Sequence, residues 1–209
     1  MVKEEKSNEK DCNTAILTAI TLVAGCLLGL VYEITKEPIA VAKENAKQKA
    51  YRAVLTNAKE FEEYDKFDAD AAAKLVADAG YTDDITEVVV AKDEAGESMG
   101  FVVSVTSHDG YGGDIALSVG ILNDGTVKGI EMLEIAETAG LGMKADEPEF
   151  KEQFVDKKVE KFSYTKTGEE GDDKIDALSG ATITTNAVTN AVDAALVYFQ
   201  NELGGSVNE

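Results

Sequence analysis

Asp114–Gly125, DIALSVGILNDG, is the stretch on which the fold class turns. Ile115, Leu117, Val119 and Ile121 alternate with small or polar neighbours, so an extended chain places all four aliphatic side chains on one face. Asn123-Asp124-Gly125 is a hairpin turn, because Asn and Gly tolerate the left-handed backbone such turns demand, and Thr126–Ile135 carries the chain back. The same period recurs upstream. In Gly100–Ser107 the residues Phe101, Val103 and Val105 share a face, and Thr86–Ala91 (TEVVVA) is a further strand, with DEAGES and HDGYGG as connections. The reading is an antiparallel meander of about four strands.

Helical patterns flank this meander. Lys36–Ala58 reads as a helix starting near Pro38, with Ile39, Ala42, Ala46, Ala50 and Val54 in a stripe of mainly small residues. Asp70–Ala79 ends at Gly80, which suits a helix stop. After the meander, AETAGLGMKADEPEF is a Gly-punctuated loop leading to a short helix at Pro148–Phe154 and a ribbon over Val155–Tyr164. The acidic segment TGEEGDD follows, its Glu169-Glu170 and Asp172-Asp173 pairs lacking the calcium-loop pattern and reading as a solvated loop. Thr184–Leu203 is the last helix. Helices flanking an antiparallel sheet define an α+β domain.

Asn13–Tyr32, NTAILTAITLVAGCLLGLVY, holds 20 residues without a charge. As a helix it spans about 30 Å, the thickness of a bilayer's hydrocarbon core. A buried core helix and a cleaved signal peptide are the alternatives. VAGC at 23–26 resembles a lipoprotein cleavage box, yet cutting there would discard the apolar LLGLVY that follows. The organisation expected is a short tail at 1–12, a single transmembrane helix at 13–34, a helical packing region at 35–84, a globular domain at 85–203 and a disordered tail at 204–209. Lys3, Lys6 and Lys10 precede the span, and Lys36, Lys43, Lys47, Lys49 and Arg52 follow it, so the charge pattern leaves orientation open.

Formal net charge is -20, from 40 acidic and 20 basic residues. Such a surface repels polyanions, which excludes nucleic acid as a partner. Cys12 and Cys26 are the only cysteines and His108 the only histidine, so neither a Cys–His metal set nor a Ser-His-Asp site is expected. No catalytic residue and no metal ligand is assigned. His108 reads as a surface turn residue, and Tyr111 as a packing aromatic that could lie beside a ligand.

The segment with chemistry is Asp176–Thr185, DALSGATITT. Gly180 permits a sharp turn without a side chain to block a ligand. Ser179, Thr182, Thr184 and Thr185 bring four hydroxyls to the start of the last helix, whose unpaired amides and positive dipole end suit a phosphate. Simple N-capping is the alternative, since Ser and Thr cap helices routinely. There is no P-loop lysine and no G-x-G-x-x-G, which removes nucleoside triphosphates and ordinary dinucleotide binding.

DALSGAT resembles the flavinylation signature of the FMN-binding domain family, and Glu137-Thr138-Ala139-Gly140-Leu141-Gly142 is similar to its ETPGLG segment, with Ala139 in place of proline. The resemblance covers about residues 85–203. It implies FMN joined through its phosphate to the hydroxyl of Thr182, a phosphoester made by a separate FMN transferase. It also implies that Ser179, Gly180, Ala181 and Thr185 contact the phosphate, and that Glu137, Thr138, Gly140, Leu141 and Gly142 line the flavin ring. Asp176 would cap a turn or hold Mg2+ during attachment. With its anchor and length the chain most resembles the G subunits of Rnf ion-translocating ferredoxin:NAD oxidoreductase complexes, related to the C subunits of the Na+-translocating NADH:quinone reductases. That implies an electron-relaying subunit, other membrane subunits as partners and a domain on the extracytoplasmic side. A stand-alone FMN-dependent reductase, the corresponding subunit of a Na+-translocating NADH:quinone reductase and a non-redox surface module are the competing readings. The chemistry would be the flavin's, with the acidic protein lowering its reduction potential.

Overall fold

The computed structural model describes the backbone of residues 2–204 and the side chains from Asn13 onward. The side chains of Lys3, Lys6, Lys10 and Cys12, and the expected tail apart from Gly204, lie outside the described residues. The chain divides into two compact units between Asn45 and Ala46. The boundary expected at residue 85 falls inside the second.

Helix α1 (Val2–Val54) supplies the whole described part of the first unit. Its apolar stretch is long enough to cross a membrane, with a mean hydropathy of 2.3 and none of it buried. Ile16, Leu17, Ile20, Val23, Leu27 and Leu28 are all exposed, so the helix is apolar all round, as a lipid-facing span must be. Thr18 and Thr21 donate their hydroxyls to the carbonyls of Thr14 and Leu17, at 2.8 and 2.5 Å, which leaves them no hydrogen to satisfy in hydrocarbon. The helix start expected near Pro38 is not observed, and α1 runs through that residue. Proline removes one donor from the ladder, but the good helix formers after it (AVAKENAKQKA) carry the helix on.

The second unit is built on one antiparallel sheet in the order β1 (Glu60–Glu63), β2 (Asp84–Lys92), β3 (Ser98–Ser107), β4 (Ile115–Leu122), β5 (Val127–Ile135). The hairpin from DIALSVGIL forms as expected, with Val119 opposite both Val103 and Ile130. Alternation does the sorting. Ile115, Leu117, Val119 and Ile121 face the main core with Val103 and Val105, and a bulge in β2 lets Ile85 and Val88 join them despite their odd spacing. Helices α2 (Ala69–Asp78) and α4 (Thr182–Glu202) cover that face. The alanines of α4 at 187, 191, 194 and 195 are fully buried and let the helix approach the sheet closely. The opposite face is covered by Tyr51, Val54 and Leu55 at the end of α1, packed with Val89, Ala91 and Val102.

Two expectations about the strands also differ from the structure. The meander gains β1, whose sequence EFEE looks solvated but pairs with the edge of β2. The ribbon expected at 155–164 is absent. Val155 and Asp156 turn the chain instead, and β6 (Ser163–Thr165) pairs parallel with β7 (Lys174–Asp176). Helix α3 (Pro148–Lys151) and a turn of 3-10 helix at Glu152–Phe154 bring Phe150 and Phe154 into an aromatic run with Phe162. The run fixes the strand that delivers DALSGAT.

Candidate functional site

β7 hands the chain directly to the SGAT turn. The backbone N–H of Asp176 donates to Gln153 Oε1 at 2.6 Å, pinning the end of the strand. Gly180 takes the turn at φ +78°, a conformation that L side chains rarely adopt. A Cβ there would lie 3.2 Å from Leu141 Cδ2, so the turn also rests against the ETAGLG loop. The fold thus brings together two motifs about 40 residues apart in sequence.

Between them lies a cleft of about 550 Å³, lined by Tyr111, Glu137, Thr138, Leu141, Gly142 and residues 180–184. Seven of the expected cofactor residues are in that lining: Glu137, Thr138, Leu141, Gly142, Gly180, Ala181 and Thr182. Thr182 is the first residue of α4 and is half-buried. The N-cap is Ala181. No side-chain hydrogen bond caps the helix, and its first three residues, Thr182 to Thr184, line the cleft, so the unpaired amides of the first turn belong to the cleft wall. This is the donor set a phosphate needs.

Three expected residues are not brought to the cleft. Thr185 is fully buried: its hydroxyl donates to Ala181 O and accepts from Leu178 N, both at 3.0 Å, and its own N–H also goes to Ala181 O. Both of its donors are used to close the 178–185 turn, so it supports the site from behind. Ser179 is exposed and borders a separate depression with Lys144, Glu149 and Gln153. Gly140 takes an exposed turn at φ +76°, away from the lining.

Residues beyond the expected set complete the walls. Ile183 is 53% exposed and Tyr111 is 71% exposed, so with Leu141 they form an apolar rim suited to a planar ring. The only sequence signal for Ile183 is a single apolar residue set among the hydroxyls of SGATITT. Thr184 is buried and lines the cleft. Gly142 leaves no room for a side chain, because a Cβ would come within 2.6 Å of both Glu137 Oε2 and Thr184 Oγ1. Among the described residues no group of His, Cys, Asp and Glu has the arrangement of a metal site.

Known proteins share this geometry's sequence. The FMN-binding domain family matches residues 110–197, a span that contains every residue of the cleft. The G subunit of the Na+-translocating ferredoxin:NAD+ oxidoreductase complex of Acetobacterium woodii is 33% identical over 190 residues, 89% of each chain. The G subunit of the ion-translocating oxidoreductase complex of Methanosarcina acetivorans is 32% identical, covering 95% of this chain and all of its own. In fold, the chain is similar to the C subunit of the Na+-translocating NADH-quinone reductase from Parabacteroides distasonis. The TM-score is 0.52 at 22% identity, over 71% of this chain and 79% of that one. Shared identity of this extent along nearly its whole length, around a domain of known family, means that the chain belongs to the G subunits of ion-translocating oxidoreductase (Rnf) complexes.

Proposed function

We propose that this chain is a membrane-anchored flavoprotein subunit that relays electrons within an ion-translocating ferredoxin:NAD oxidoreductase complex, with FMN attached by a phosphoester to Thr182 Oγ. The observation that carries the reading is the uncapped start of α4, which opens on the cleft with Thr182 as its first residue. The residues fit the cofactor. Free amides and a dipole end meet the phosphate, and the rim of Tyr111, Leu141 and Ile183 meets the ring. When bound, FMN supplies the electron-accepting chemistry.

The chain's own residues do the rest. Thr182 fixes the phosphate, and a diester carries one negative charge where free FMN carries nearly two, which lowers repulsion in a protein of net charge -20. Gly180 and Gly142 admit the cofactor closely, and the apolar rim excludes water from one side of the ring. A tethered cofactor cannot be lost during repeated cycles. An FMN transferase would make the bond, other membrane subunits of the complex would exchange electrons with it, and the domain would face the extracytoplasmic side. The test is intact mass of the wild type and of Thr182→Ala, each co-expressed with an FMN transferase. The FMN-phosphoryl increment is expected in the wild type and absent from the variant. An increment that persists in Thr182→Ala refutes the attachment site, and a colourless wild type refutes the flavoprotein.

A further inference from the structure

We propose that Glu137 and the turn Gly110–Gly112 form a positioning lock in the cleft wall, and that the carboxylate held there lowers the reduction potential of the bound flavin. This rests on the flavin reading above and adds to it how the site is tuned. Glu137 is 8% exposed and lines the cleft. Its Oε1 accepts from two successive backbone amides, Tyr111 N at 2.7 Å and Gly112 N at 3.3 Å. Consecutive N–H groups converging on one oxygen form an anion-holding concavity, and such charge-assisted bonds are stronger than neutral ones. The other oxygen is packed against Gly142, whose missing side chain would meet both Glu137 Oε2 and Thr184 Oγ1 at 2.6 Å. The carboxylate is thereby held by the amides of the 110–112 turn and packed against Gly142 of its own loop, with Thr184 of α4 lining the same wall.

What holds this charge matters as much as where it lies. Its hydrogen bonds among the described residues come from amides, not from a lysine or arginine. Amides orient a carboxylate without cancelling its unit charge, so its field extends into the cleft. Reduction places negative charge on the ring, and a fixed carboxylate in a partly desolvated wall opposes it more strongly than the same group in water. Glu137 is a positioning residue in this scheme. It sets the wall's shape through the turn and the ring's potential through space.

The experiment uses the full chain in detergent, with and without FMN transferase co-expression. In protein made without the transferase, hydrogen-exchange mass spectrometry compares the peptide containing Tyr111 and Gly112 in the wild type and Glu137→Ala. Roughly tenfold faster exchange is expected in the variant, the scale of one lost hydrogen bond. In loaded protein, Glu137→Gln keeps the shape and one acceptor oxygen while removing the charge. It is expected to carry the flavin mass increment with a higher midpoint potential than the wild type. Unchanged exchange in Glu137→Ala overturns the lock, and an unchanged or lower potential in Glu137→Gln overturns the tuning. If Glu137→Ala does not fold, Glu137→Asp replaces it: its shorter side chain withdraws the charge from the amides, and exchange is again expected to rise. A wild type without the mass increment defeats the flavin reading itself, and the exchange comparison still decides the lock.

Discussion

His108 stands between two carboxylates, its Nε2 3.0 Å from Asp84 Oδ2 and its Nδ1 3.0 Å from Asp114 Oδ1. These hydrogen bonds, with Asp84 the larger influence, push its pKa up to about 9. At neutral pH the ring is an imidazolium that donates from both nitrogens and ties β2 to both ends of the 108–114 turn. That is the turn whose amides hold Glu137. The folded value lies above the ordinary 6.5, so the stabilisation is fully present below about pH 6.5 and is lost as pH rises through about 9. Solvent screening keeps it modest, because the side chain is 45% exposed. The unfolding temperature of the wild type is therefore expected to fall between pH 7 and 9.5 more steeply than that of His108→Gln. Parallel curves would show that the clamp contributes nothing. The sequence could not announce this role, since Asp84 lies 24 positions away on a neighbouring strand.

Helix α4 carries a carboxylate into the core. Asp193 is 2% exposed and accepts from Phe162 N at 2.7 Å and Tyr81 Oη at 3.3 Å. Burial pushes its pKa up from the ordinary 3.8 to about 7, against the Phe162 amide, Lys161 and Tyr81, while Asp83 adds to the upward push. Asp83 is equally buried, with no hydrogen-bond partner for either oxygen among the described residues. Its pKa is also pushed up by burial, against Ser107, with Asp109 and His108 acting from the adjoining turn. In the native state Asp193 thus holds its proton more tightly than in the unfolded chain between about pH 4 and pH 7, so its own contribution to stability falls across that interval and levels off above it. Asp193→Asn keeps the acceptor for Phe162 without the charge. It is expected to match the wild type near pH 4 and to exceed it at pH 8 by up to roughly 4 kcal/mol in urea unfolding. An advantage that does not grow with pH would refute the burial argument. What was legible at this scale follows from period. Strands β2 to β5 are readable because runs rich in aliphatic residues, alternating with small or polar ones in β3 and β4, are bounded by turn signals. Helix α4 starts two residues before its sequence pattern indicates, because Thr-Ile-Thr-Thr is a poor helix-forming run held by tertiary contacts. Short β6 and β7 pair only because the fold aligns them. Asp193 sits among TNAVDAALV like any solvent-side residue, and only the packed structure shows it inside.

The whole molecule carries a net charge of -20, and that charge acts on the site differently from the single carboxylate in its wall. Most of the acids are on the surface, many around water-filled loops such as 168–173, where their fields pass through solvent and are screened by salt. At about 10 mM ionic strength the screening length is about 30 Å, so much of this small protein's charge reaches the cleft; at about 0.5 M only charges within a few ångströms do. Glu137 is buried in the wall and stays unscreened at either salt concentration. Two contributions to the flavin's potential should therefore separate. Raising salt from about 10 mM to about 0.5 M is expected to raise the midpoint potential of the loaded wild type toward that of free FMN. The same change should leave the gap between wild type and Glu137→Gln largely intact. Spectroelectrochemical titration at both salt concentrations reads both quantities at once. A potential that ignores salt would mean that the surface charge plays no part. A gap that closes with salt would mean that Glu137 acts through solvent rather than through the wall in which it is held.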